Sequence, residues 1–173
     1  MFDSLIASLF VLMMNGTDPA HPFNNKVSVT KNELECLALN IYHEARDQNL
    51  QGRLSVALVV LNRAHSKESR WPSNVCDVIK QGSYRSGIVS RNMCQFSWYC
   101  DGKSDRPRDW KTWNRSQREA YWAYIMHYYG FDITNGATNY YSTKYINSEP
   151  PWTKDRGMKF VGDFDEHRFY RWE

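Results

Sequence analysis

Residues 54–61 form a run, Leu54-Ser55-Val56-Ala57-Leu58-Val59-Val60-Leu61, that is apolar on nearly every side. A segment of that kind is stable only when covered all round, so the rest of the chain has to be arranged about it. The run is compatible with a buried strand or a central helix. Its continuation through Asn62, Arg63 and Ala64 gives a length more typical of a helix, and predicts one.

Upstream, Thr30 followed by Glu33 has the spacing of a capping box, which predicts a helix starting there and continuing to Asp47. No proline interrupts it, and Leu, Ala, Glu and Arg dominate its interior. Asn49 and Gly52 mark a break shortly after. On this helix Leu34, Leu37, Ile41 and Glu44 fall at three- and four-residue intervals, so a carboxylate occupies a position expected to face the core. Glu44 is then either matched by a partner such as Arg46 or Arg63, or kept protonated as a general acid.

At 173 residues the chain suits one well-buried domain and is too short for two ordinary ones. The division expected is an N-terminal apolar segment and linker, residues 1–29, followed by a catalytic domain, residues 30–173. Residues 5–14 are too short an apolar run to span a bilayer comfortably and lack a basic flank, leaving a signal segment, a weak membrane anchor at residues 2–14, or a docking helix. Aromatic residues make up 15% of the chain, an unusually high share; a tyrosine-rich core accounts for about half of them, and flat aromatic faces also suit sugar rings or bases. The net charge of +3 favours an anionic partner without choosing among peptidoglycan, anionic lipid and nucleic acid. Cys36, Cys76, Cys94 and Cys100 allow three pairings; Cys94 and Cys100 bracket a short loop and are the expected local pair. No spacing suits a zinc site, and His43-Glu44 lacks the second histidine of a zinc-protease motif, so no metal or other cofactor is expected.

Further along, a short helix is expected between residues 71 and 82, capped by Ser73, with Val75, Val78 and Ile79 inward. Residues 83–108 read as a loop. An amphipathic helix at 113–129 follows, with Trp113, Gln117, Ala120, Tyr124 and Tyr128 on one stripe and Gly130 as its stop. Residues 138–145 alternate tyrosine with polar residues as a strand does, and 159–172 supply one or two more strands around Gly162-Asp163. The class is therefore α+β and mainly helical, with a small antiparallel β element towards the C-terminus.

The string Ile41-Tyr42-His43-Glu44-Ala45-Arg46, Gly52, Val56-Ala57, Val60-Leu61-Asn62-Arg63, Trp71-Pro72, Asp77-Val78-Ile79, Gln95-Phe96-Ser97 resembles the SleB/CwlJ-type cell wall hydrolases. The likeness runs on through Gly136-Ala137-Thr138-Asn139-Tyr140-Tyr141, Pro151-Trp152 and His167-Arg168-Phe169-Tyr170. It implies a lysozyme-like helical body cutting the glycan strand of peptidoglycan as a lytic transglycosylase, with Glu44 as acid and base. It also implies a free-standing bacterial or phage enzyme, with endolysin favoured, acting in the cell envelope as a monomer on peptidoglycan and not on nucleic acid. One position departs from the family pattern: Gln48 stands where a second glutamate is usual.

A single acid suits a transglycosylase, because the substrate's acetamido group and C6 hydroxyl can supply what a second carboxylate supplies in a hydrolase. Asp47 is either a second acid or a helix-end residue paired with a cation. Gln95 and Ser97, flanking Phe96, either bind acetamido groups, hold Glu44, or form an ordinary turn. Asn139, Tyr140 and Tyr141 are candidates to line the groove, with a buried sheet face accounting for one of the two tyrosines. His167 is a candidate through the resemblance. Rival readings are an amidase acting on the peptide stem, a hydrolytic muramidase, and a non-catalytic module binding glycan or nucleic acid.

Overall fold

Thr30 caps the first helix as its spacing from Glu33 predicts. In the computed structural model, which describes residues 30–146 and 148–173, the Glu33 amide donates to Thr30 Oγ1 (3.1 Å) and Thr30 N–H donates back to Glu33 (3.3 Å). Helix α1, Lys31–Ala45, stops two residues before Asp47. The expected N-terminal segment, linker and membrane-associating stretch, residues 1–29, lie outside the described residues.

Helix α2, Leu50–His65, carries the apolar run, and Leu54 and Val56 to Leu61 are fully buried. It is the central helix, packed against α1, against α3, Val75–Lys80, and against α4, Trp110–Tyr128. Asn49 caps α2 by accepting from Gly52 N–H (2.9 Å), so Gly52 lies inside the helix and is not its break. The glycine is needed for close approach: a Cβ there would meet the Cβ atoms of Gln48 at 3.1 Å and Asp165 at 3.2 Å. Cys36–Cys76 ties α1 to α3, and Cys94–Cys100 closes the local loop.

Three local expectations need correction. The cap of α3 is Asn74 and not Ser73, since Asn74 Oδ1 accepts from the Asp77 amide (3.2 Å). Residues 83–108 are not all loop: β1, Gly82–Arg85, and β2, Ile88–Cys94, form an antiparallel hairpin about Ser86 and Gly87, both at positive φ. The hairpin is largely exposed and lacks the apolar alternation by which a strand is recognised. Helix α4 begins at Trp110 because Asp109 caps it, accepting from the amides of Lys111 (2.9 Å) and Thr112 (3.1 Å). Its buried face is Ser116, Glu119, Ala120 and Ala123, while Gln117 and Tyr128 are exposed. That face was masked by Glu119, which is buried because it meets Arg53 in a two-pronged pair at 2.7 and 2.8 Å.

The C-terminal sheet has strand order β3-β5-β4, with β3 at Asn139–Ser142, β4 at Met158–Phe164 and β5 at His167–Trp172, all neighbours antiparallel. The chain reverses at Asp165-Glu166, not at Gly162-Asp163, which pair with Phe169 and Arg168; a bulge interrupts the register just before them, between Phe160 and Gly162. Phe169, on the central strand, joins Ala45, Val56, Val59 and Ala137 in a small cluster that fixes the sheet against the helical body. Full burial of a phenylalanine of this kind contributes about 2–3 kcal/mol. Among the described residues no helix is long and apolar enough to cross a membrane.

Candidate active site

Glu44 lies in the last turn of α1, beside fully buried Ala45, and is itself half-buried. Its Oε2 accepts a hydrogen bond from Tyr140 Oη on β3 (3.0 Å), and no ion pair to Glu44 occurs among the described residues. Removal of water raises its pKa above the ordinary glutamate value, against the opposing effects of the Tyr140 hydroxyl and the nearby Arg63 charge. The same environment, burial first and then Glu44, pushes the Tyr140 phenol well above its usual range, so the phenol remains a donor.

Arg63 is the cation of this site. It is 5% exposed, and burial lowers its pKa to about 10 although Tyr140 and Glu44 favour its charged form. Its Nε donates to Thr138 O (2.6 Å), and its guanidinium lies 4.3 Å from the Trp71 ring and 5.4 Å from that of Phe96. Asn62, one residue earlier, donates to Ala137 O (2.9 Å) and to Asp132 Oδ2 (2.9 Å), whose carboxylate also accepts from the Thr134 and Gly136 amides. Asn62 and Arg63 thus hold the loop entering β3 and so set the position of Tyr140. Both stand in the sequence string resembling the wall hydrolases, but no local signal revealed this task.

The other expected site residues separate into several groups. Tyr140 and Tyr141 point to opposite faces: Tyr140 reaches Glu44, while Tyr141 is buried against Trp152 and Tyr170. Asn139 accepts from Thr138 Oγ1 (2.9 Å). His167 is buried behind Tyr140, its ring edge-on at 5.2 Å, and burial lowers its pKa despite the carboxylates of Asp47, Asp165 and Glu166. Phe96 is buried beneath Arg63 and has no face for a ligand. Gln95 and Ser97 are exposed, and neither holds Glu44. Asp47, beyond the helix end, is half-exposed; it accepts from Gln48 (3.3 Å) and pairs with Lys144 (3.8 Å). Burial opposes ionisation of Asp47, but the Gln48 and Lys144 contacts prevail and lower its pKa.

Gln48 is buried and bonds Glu166 from both ends of its amide: Nε2 donates to the carboxylate (3.0 Å) and Oε1 accepts from the backbone N–H (3.0 Å). A glutamate could do only the second of these, so it is Gln48 as an amide that clamps the β4–β5 turn to the start of α2. The Arg53–Glu119 pair supports the backbone of Gln48 between α1 and α2, since Arg53 Nη1 also donates to Gln48 O.

Two depressions flank these groups, and Glu44 lines neither. One, of about 360 Å³, lies past Thr138 and contains Asn62, Trp71 and Trp172. The other, of about 610 Å³, begins at His43 and Arg46 and extends over the loop preceding α4.

The cell wall hydrolase family model matches residues 47–170, beginning just after Glu44. The catalytic domain of the Bacillus cereus SleB protein superposes with a TM-score of 0.54 at 20% identity, covering 83% of this chain and 93% of that one. That likeness shows a common lysozyme-like α+β fold. The catalytic domain of the germination-specific lytic transglycosylase SleB from Bacillus anthracis gives a TM-score of 0.49 at 21% identity, covering 83% and 98%. No curated protein sequence matches the chain.

Proposed function

The chain belongs to the cell wall hydrolase family, and from that premise we propose that it cleaves peptidoglycan glycan strands as a lytic transglycosylase. The bond cut is that from N-acetylmuramic acid to N-acetylglucosamine, and residues 30–173 form the catalytic unit. The observation carrying this reading is Glu44: half-buried, free of any ion pair among the described residues, raised in pKa, and held by one phenol.

In the reaction, protonated Glu44 gives its proton to the glycosidic oxygen, and the C1–O4 bond breaks with its electron pair on the leaving oxygen. The acetamido oxygen of the muramic acid stabilises the developing cation at C1. The Glu44 carboxylate then takes the proton of the C6 hydroxyl as that oxygen attacks C1, and a 1,6-anhydromuramoyl end results. Tyr140 stabilises the carboxylate between the two steps. Asp47, committed to Gln48 and Lys144, serves the turn instead of the chemistry. Asn139 remains the candidate for substrate contact from β3, with Gln95 and Ser97 from the loop.

Two disulfides fit work in an oxidising envelope compartment. In its narrower form the proposal makes the protein a monomeric phage endolysin. Mass spectrometry of digested sacculi tests the chemistry. Anhydromuramoyl ends are expected; reducing muramic acid ends would replace the proposal with a hydrolytic muramidase, and released intact stems with an amidase.

A further inference from the structure

The larger depression is built differently from the region around Glu44. Its floor is aromatic: Trp98 stacks on His43 with centroids 4.6 Å apart and planes 14° apart, and Tyr42 meets His43 edge-on. His43 Nε2 donates to Asp105 O (3.0 Å), and Trp98 Nε1 to Asn40 Oδ1 (3.1 Å), so both rings are fixed. Arg46, Lys103, Arg106 and Arg108 stand around this floor.

Two of the three acids on the rim are occupied. Asp101 pairs with Lys103 (3.6 Å), and Asp109 caps α4. Asp105 is pushed up in pKa, by burial first and by Asp101 as well, although His43 opposes the shift. Arg46, Arg106 and Arg108 have no ion pair among the described residues, and Arg46 lies over the Tyr42 ring (5.4 Å). Three guanidinium groups with no ion pair among the described residues, over a rigid aromatic floor, suit an extended ligand that carries carboxylates.

Resting on the glycan-cleavage reading, we infer that this depression binds the peptide stem of the muramic acid whose glycosidic bond lies at Glu44. The stem leaves the sugar through its lactyl group and carries free carboxylates, the features the three arginines and the aromatic floor would recognise. His43 precedes Glu44 on α1, Arg46 follows it at the helix C-cap, and both line the depression; a stem of about four residues spans roughly 13 Å when extended.

The test compares glycan strands bearing stems with strands stripped of them by an amidase. Wild-type protein should show a kcat/KM preference of about tenfold for stem-bearing strands, the scale of one or two charge-assisted hydrogen bonds. In Arg106→Ala/Arg108→Ala that preference should fall towards one. The double variant's circular dichroism should match wild type, and Arg106→Gln alone should give an intermediate preference. Equal cleavage of both strands by wild type overturns the stem inference while leaving glycan cleavage intact. A preference that follows wall teichoic acid on stem-free strands overturns it in favour of an anionic polymer. Absence of cleavage of either strand sinks the proposed function itself.

Discussion

Tyr140 on β3 donates to Glu44 at the end of α1 across 96 residues of sequence, and this bond joins the helical body to the sheet at the proposed catalytic carboxyl. It stabilises the ionised form of Glu44, while burial favours the protonated one. Burial prevails, leaving an acid able to release a proton and take one back.

Glu44→Gln should abolish cleavage, with a loss of at least about 10²–10⁴ in kcat, the range of a lost general acid. Its stability should not fall. Because the folded-state pKa of Glu44 is raised, wild type is penalised as pH climbs above the ordinary glutamate value, and the variant escapes that penalty. Thermal melting at pH 7 should give a Tm at or above that of wild type, with the difference vanishing at pH 3. A large fall in Tm at pH 7 would mean the carboxylate is structural.

Tyr140→Phe keeps the packing against His167 and Phe169 and removes only the hydroxyl. Loss of a donor to the carboxylate should cost about tenfold in kcat. It should also raise the Glu44 pKa further, moving the alkaline limb of the pH–rate profile to higher pH. A limb that stays in place would show that another group sets it.

Gln48→Glu should weaken this protein. The new carboxyl would face Glu166 and Asp47 without a proton to donate. Its folded-state pKa would be raised, so the deficit should be absent below the ordinary glutamate range and develop as pH rises through it. Urea midpoints at pH 4 and pH 7 measure this; equal midpoints for variant and wild type at pH 7 would refute the clamp.

Glu119→Ala leaves Arg53 buried without its counter-charge and should cost about 3–5 kcal/mol. Arg53→Met/Glu119→Leu should recover most of the loss, because an apolar pair of similar volume carries no desolvation penalty. Denaturant unfolding of the three proteins separates a paired charge from two independent packing defects.

Caps and periodicities act over a few residues, and where they were strong the sequence was readable. Thr30-Glu33 begins α1, the run at 54–61 becomes the buried central helix, and Glu44 is half-buried beside Ala45. The same signals misled wherever burial did not follow polarity. The exposed hairpin at 82–94 had no apolar face to reveal it, and Glu119 hid the inner face of α4.

What the sequence by itself determined was the helical body, the late sheet and the one suspicious carboxyl. Only the tertiary structure decided that Tyr140 and not Gln95 or Ser97 holds Glu44, that Gln48 clamps Glu166, and that Arg53 meets Glu119. These partners are 96, 118 and 66 residues apart. No local pattern encodes such distances, because each pair is chosen by how the sheet and α4 dock on a core that has to exclude water on every side.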